Sequence, residues 1–263
     1  MKLHLSYAGQ PLHQAPTLVL LHGWGMHSEI WRPLSGLLED DFSLVLVDLP
    51  GHGRSQAAAE SSTLNGMVTE IHNALLQAGI PQAAWLGWSL GGIVAMTYAL
   101  TYRENITSLM TLCTSPCFVA REDWAAGMDA ETFAQFSEAF KTQPQKTLQR
   151  FAMLQVQGSA SARQDLKQLK SLISSIPDPD YPAVSAALEV LEADYRSLFS
   201  AADQSDLPVT HLLCELDTLA PISATEYLQQ LPGSAVAVLA GSSHVPMLSD
   251  PQMLAGRIRE HLK

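Results

Sequence analysis

Cations are scarce in this chain. Lys and Arg number 15 against 26 Asp and Glu, for a formal net charge of −11. So acidic a surface does not attract nucleic acid or anionic lipid in a generic way. Cysteine is scarcer still, at three. Cys113, Cys117 and Cys214 make no even disulfide framework. The four-residue spacing of the first two lacks a second ligand pair, which argues against a zinc site. Cys214 falls in an apolar run and reads as a core thiol. No apolar run approaches the ~20 residues that span a bilayer. The opening Met1-Lys2-Leu3-His4-Leu5-Ser6 lacks the apolar core of a secretory signal. A cytoplasmic monomer is therefore expected, with neither nucleic-acid nor membrane partners. Charged residues make up 16% and apolar residues 47%, a balance suited to a soluble globular protein with a sizeable core.

One stretch organises what is present. Ala83 to Leu86 is a short apolar run of strand character, and Ile93 to Leu100 is an apolar run of helix length. Between them lies Gly87-Trp88-Ser89-Leu90-Gly91, a G-x-S-x-G pattern. The pentapeptide also occurs in ordinary turns; the strand before and helix after make it a nucleophile elbow. The turn is sharp enough to strain the backbone at Ser89. Side chains at 87 and 91 would collide across it, so both positions call for glycine.

Short apolar runs alternate with helical segments up to Thr114 and again from about residue 201. That rhythm predicts an α/β fold with a mostly parallel central sheet flanked by helices. From Ser115 to about Ser200 no strand pattern appears; helices are expected over roughly 129–141, 144–156, 161–175 and 182–199. The expected organisation is a core of residues 1–114 and 201–263, with an all-helical cap inserted at 115–200.

A serine hydroxyl needs a base to take its proton. In the strand-turn-helix setting the partners follow as acid and then histidine, each in a loop after a later strand. Of nine histidines, His244 alone follows the final expected strand, in Gly241-Ser242-Ser243-His244-Val245-Pro246. His22 and His52 precede the serine and are expected to shape loops; His27 is expected at the surface. Asp217 ends the strand before the last and is the expected acid, whereas Asp250 begins a helix and is expected to cap it. The oxyanion donors expected are the backbone N–H groups of Leu90 and Trp24. The indoles of Trp24 and Trp88 are candidates to line the pocket. No metal or cofactor is required.

His22-Gly23-Trp24-Gly25, Gly87-Trp88-Ser89-Leu90-Gly91-Gly92, Ser115-Pro116-Cys117-Phe118 and the Arg150-Phe151 segment resemble the α/β-hydrolase fold. Within it they resemble the BioH family of carboxylesterases, the pimeloyl-[acyl-carrier protein] methyl ester esterases of biotin synthesis. The similarity runs over essentially the full chain. It implies hydrolysis of a methyl ester on a pimeloyl chain carried by acyl-carrier protein, with release of methanol. Ser89, Asp217 and His244 match the family's triad, Trp24 and Leu90 its oxyanion and substrate positions, and Phe151 a substrate-contacting cap position. The chain departs from the family pattern at Lys146, Lys167, Thr218 and Met247, which bears on the pocket's shape. Residues 141–170 carry six cations against one acid. Lys146 and Arg150, like Arg163 and Lys167, are four apart and share a helix face. These four are expected to dock the acidic carrier protein. A general short-chain carboxylesterase or a carbon–carbon bond hydrolase fits the same fold and triad. A ligand-binding receptor on a hydrolase scaffold is the alternative outside catalysis.

Overall fold

A computed structural model describes residues 2–262, so Met1 and Lys263, the ends of the expected core, lie outside the described residues. The strands are β1 (Leu5–Gly9), β2 (Thr17–Leu21), β3 (Ser43–Val47), β4 (Ala83–Trp88), β5 (Ile106–Leu112), β6 (Val209–Cys214) and β7 (Ser234–Leu239). The helices are α1 (Arg32–Leu38), α2 (Leu64–Gln77), α3 (Leu90–Thr101), α4 (Ala130–Thr142), α5 (Pro144–Gln155), α6 (Ala162–Ile173), α7 (Tyr181–Glu192), α8 (Arg196–Asp203), α9 (Thr225–Leu228), α10 (Pro246–Ser249) and α11 (Pro251–His261).

The strands form one sheet in the order β1-β3-β2-β4-β5-β6-β7. β1 runs antiparallel to β3 at the edge, and the remaining pairs are parallel. β2, β3 and β4 are continuous apolar runs because helices cover both faces. Alternate residues serve opposite faces. Val19, Leu21, Val45 and Val47 join one core with Met67 and Ile71 of α2 and Ile93 of α3. Leu18, Leu20, Leu44 and Leu46 join the other with Leu34 of α1 and Ile258 of α11. α3 is buried from Leu90 to Ala99, as a helix apolar on every side must be.

β2 sits between β3 and β4. The chain leaves β2 toward one side of the sheet and returns at β4 on the other, so the loops after these two strands open a crevice at the carboxyl edge. Both the Gly23-Trp24 loop and Ser89 lie there.

The long excursion between β5 and β6 carries α4 to α8. Asp129 caps α4 through the Thr132 N–H, and Asp180 caps α7 through the Ala183 N–H. Pro144 starts α5 and keeps Gln143 out of helical geometry (φ −140°), which separates α5 from α4. The helix expected over 182–199 is in fact two. Ala193 is extended (φ −74°, ψ 159°), and Asp194 forms a bridge with Cys117. α8 then packs on α3, so the boundary expected between 200 and 201 falls inside a helix that belongs to the sheet's covering layer. The stretch expected to be free of strand also holds isolated bridges at Val119–Met128 and Arg121–Trp124. Among the described residues no helix is long and apolar enough to cross a membrane.

Candidate active site

Ser89 stands between β4 and α3 with φ 55° and ψ −118°. Such a conformation costs a non-glycine residue about 1–3 kcal/mol, so its surroundings must hold it. The Ser89 N–H donates to the Leu112 carbonyl (2.9 Å), and the Ser89 carbonyl accepts from Gly92 N–H (2.9 Å) and the Thr114 hydroxyl (3.2 Å). The two glycines of the motif have different reasons. A Cβ at Gly87 would lie 2.3 Å from the Gly91 carbonyl oxygen, the collision expected across the turn. A Cβ at Gly91 would instead lie 2.5 Å from the Leu21 carbonyl oxygen and 2.6 Å from that of His22, at the end of β2.

Asp217, in the loop after β6, meets His244, in the loop after β7. His244 Nδ1–H donates to Asp217 Oδ2 at 2.6 Å. Asp217 Oδ1 accepts from the N–H groups of Leu219 (2.8 Å) and Ala220 (3.0 Å). All three side-chain positions, at 89, 217 and 244, are buried. The carboxylate fixes the proton on Nδ1 and leaves Nε2 as the ring's basic nitrogen. The backbone of His244 is also held: its N–H donates to the Gln155 carbonyl (3.1 Å), and its carbonyl accepts from the Trp88 indole N–H (2.8 Å). Among the described residues no hydrogen bond joins the Ser89 hydroxyl to the imidazole. Such contacts are often loose before a substrate binds and tighten around it.

The thiol of Cys113 adds a third group. Its sulfur and ligand atoms of Asp217 and His244 all lie within 4.8 Å of one another. An ion there would have to break the 2.6 Å Asp217–His244 bond and compete with the two N–H groups on Asp217. Cys113 Sγ already sits 3.0 Å from Cys214 Sγ. Burial, and then the neighbouring Cys214, push the Cys113 thiol well above its ordinary range, so it stays protonated and un-nucleophilic.

Trp24 and Leu90 offer main-chain N–H groups for which no acceptor exists among the described residues. The Trp24 group is aimed by His22. The Gly23 carbonyl accepts from His22 Nδ1–H (2.8 Å) and from the Met26 N–H (3.3 Å). A planar trans peptide that points its carbonyl one way points the next N–H the other. His22 Nε2 in turn accepts from the Leu49 N–H at 2.9 Å. Burial, and then His52, lower the His22 pKa to about 3; burial lowers that of His52 to about 4. Both rings are therefore neutral loop-formers. Asp48 accepts from the N–H groups of Ser28 (2.6 Å) and Arg54 (2.8 Å). Burial works against its charge and these two donors favour it; the net shift is below the usual carboxylate range. His27, expected at the surface, is buried, and its Nε2–H donates to the Leu172 carbonyl of α6 at 3.0 Å. The helical excursion lies over this loop and takes the ring out of water.

Ser89 lines a cavity of about 40 Å³. Its walls include Trp24, Phe118, Phe133, Phe136, Phe151 and Leu154. The Trp24 indole is anchored by its N–H to the Val184 carbonyl of α7 (2.7 Å) and meets Phe136, Phe140 and Phe151 edge-on at 5.4, 5.0 and 5.1 Å. Trp88 does not line this cavity. It lies in the opposite core beside Trp31, which corrects the expectation that its indole faces the pocket. The aromatic wall from α4 was missed in the sequence, although Phe133, Phe136 and Phe140 at three- and four-residue spacing mark one helical face.

Lys146 and Arg150 lie on α5, Arg163 and Lys167 on the adjacent α6, and all four are exposed. Among the described residues none of the four forms an ion pair. α5 therefore turns Lys146 and Arg150 to solvent while sending Phe151 and Leu154 to the cavity.

Solved structures similar to this chain include an esterase from Exiguobacterium antarcticum, with a TM-score of 0.85 and 18% identity over 99% of this chain and 95% of that one. A bromoperoxidase from Bacillus anthracis gives 0.87 and 17% over 99% and 95%. An enol-lactonase from Burkholderia xenovorans LB400 gives 0.84 and 18% over 99% and 96%. At such identities the likeness speaks to the fold. The sequence profile of the family described as alpha/beta hydrolase fold matches residues 16–251. With a parallel sheet, a strained serine between strand and helix, and that match over most of its length, the chain belongs to the alpha/beta hydrolase fold family.

Proposed function

We propose that this chain is a serine carboxylesterase that removes the methyl ester from a pimeloyl chain carried on acyl-carrier protein. The observation that carries the reaction class is a strained serine lining an apolar cavity, together with a buried imidazole whose Nδ1 is bonded to a carboxylate and whose backbone carbonyl is tied to the serine's neighbour Trp88. His244 Nε2 takes the Ser89 proton as the hydroxyl attacks the ester carbonyl. The unpaired N–H groups of Trp24 and Leu90 receive the oxyanion. His244 then protonates the departing methanol, and a water activated by the same ring releases the acid and restores Ser89. Asp217 holds the ring's tautomer and stabilises its charged form.

The carrier-bound substrate is supported by charge. Lys146, Arg150, Arg163 and Lys167 are unpaired cations in a chain of net charge −11. A patch of that sign steers an acidic partner and holds it weakly. Phe151, on the same helix, reaches the cavity and would meet the acyl chain. The cavity of about 40 Å³ is little more than the roughly 30 Å³ that one water takes in the liquid, so a seven-carbon acyl chain does not fit inside it whole. That small volume favours the second reading, a general short-chain carboxylesterase.

One comparison separates the two. Turnover of pimeloyl-[acyl-carrier protein] methyl ester and of a small nitrophenyl ester is measured for the wild type, Ser89→Ala, and a variant with Lys146, Arg150, Arg163 and Lys167 each changed to Glu. Loss of both activities in Ser89→Ala and a raised KM for the carrier-bound ester alone in the charge variant are expected. Equal response of both substrates to charge reversal overturns the carrier reading, and full turnover by Ser89→Ala overturns the mechanism.

A further inference from the structure

We infer that Trp88 is a positioning residue for the catalytic base, its indole N–H fixing the backbone of His244 relative to Ser89. The inference rests on the Ser89–His244 chemistry proposed above. Trp88 directly precedes the serine and shares its rigid turn. Its Nε1–H donates to the His244 carbonyl at 2.8 Å, across 156 positions of sequence. The two rings lie with centroids 5.4 Å apart. The segment that carries His244 begins at Gly241, with φ 66°, and enters no helix until Pro246. A base on such a loop needs ties from outside it. Asp217 fixes the ring through Nδ1, and Trp88 fixes the peptide on which the ring is mounted.

Packing does not account for this N–H. Any large aromatic would fill the space beside Trp31, 6.4 Å away and edge-on. Trp31 and Trp85 are equally buried, and their indole nitrogens have no hydrogen-bond partner among the described residues. The Trp88 nitrogen is spent on the one carbonyl that belongs to the base. Both main-chain groups of His244 are then taken, one by the nucleophile's own turn and one by the Gln155 carbonyl at the end of α5. Displacement of a catalytic group by about 1 Å is enough to cost roughly a hundredfold in rate.

The test compares Trp88→Phe with Trp31→Phe, which removes a buried indole but no hydrogen bond. A third protein carries benzothienylalanine at position 88, keeping the bicyclic shape without the N–H. For each, kcat and KM on a nitrophenyl ester, the rate of Ser89 phosphonylation by an organophosphonate, and the melting temperature are measured. Both position-88 proteins should lose roughly ten- to a hundredfold in kcat and in phosphonylation rate, with KM within about twofold. Trp31→Phe should stay within about twofold in kcat, whatever its stability. Wild-type kcat in the benzothienylalanine protein, or a loss no greater than in Trp31→Phe, overturns the inference. Ser89→Ala is run alongside. If it is dead while the position-88 proteins are unimpaired, only the role of Trp88 falls; if it turns over fully, the hydrolase reading falls with it.

Discussion

Asp217 divides its two carboxylate oxygens, one to the His244 ring at 2.6 Å and the other to the backbone of Leu219 and Ala220. An amide cannot repeat that division. In Asp217→Asn the Oδ1 atom still accepts from the two N–H groups, but the NH₂ group faces a ring nitrogen that already carries a proton. The ring must flip its tautomer and present Nε2–H to the serine. We expect kcat to fall by about 10³–10⁴ with little change in melting temperature, measured on a nitrophenyl ester. A loss below tenfold would remove Asp217 from the mechanism.

Ser89 is held at φ 55° by its neighbours, and glycine adopts that conformation freely. Ser89→Gly is therefore expected to be inactive yet more stable, by about 1 kcal/mol after the flexibility glycine adds to the unfolded chain. For a chain of this size that is a rise of about 2–4 °C in melting temperature, read by calorimetry. A fall in melting temperature would mean the serine is not strained.

Gly91 touches a different strand from Gly87. A methyl at 91 pushes against the Leu21 and His22 carbonyls, which are backbone atoms without room to yield. Gly91→Ala is expected to cost about 1–3 kcal/mol and to lower kcat as well, because the residue displaced leads directly into Gly23-Trp24. Denaturant titration paired with kinetics checks this; a destabilised protein with full kcat would uncouple the elbow from the oxyanion loop.

Buried histidines set an acid limit, His22, His52 and His211 above all. Burial lowers His22 to about 3, His52 to about 4 and His211 to about 3, from an ordinary 6.5. Above pH 6.5 neither the folded nor the unfolded chain protonates them, and they contribute nothing. Below it the unfolded chain takes up protons that the fold refuses, so stability falls as pH drops. Each contributes about 1.4 kcal/mol per pH unit, or toward 4 kcal/mol per unit together. His211→Gln removes one of these and should flatten the slope by about 1 kcal/mol per pH unit in urea titrations between pH 4.5 and 7. An unchanged slope would show that His211 takes up a proton while folded.

The elbow, its flanking strand and helix, and the loops bearing Asp217 and His244 were legible in the sequence because each is a local pattern. Apolar runs specify buried strands, and the loop after each run has a fixed place at the sheet edge. Long-range partners were not legible. Nothing near Trp88 in sequence marks a bond to residue 244, and its indole reads equally well as pocket wall. His27 read as exposed because it stands in a helix-entry loop; the α6 carbonyl that covers it is 145 residues away. The break at Ala193 was missed because Ala and Glu continue a helix comfortably. It is imposed by the pairing of Asp194 with Cys117, a tertiary choice overriding local preference.

That break divides roof from wall. Phe199 and Ala202 of α8 are fully buried, seated in the masonry beneath rather than in the canopy above. A graft that swaps the canopy between relatives, to change what the enzyme accepts, should therefore be cut at 193. A cut at 200 would split α8 and pull Phe199 out of the foundation along with the old roof.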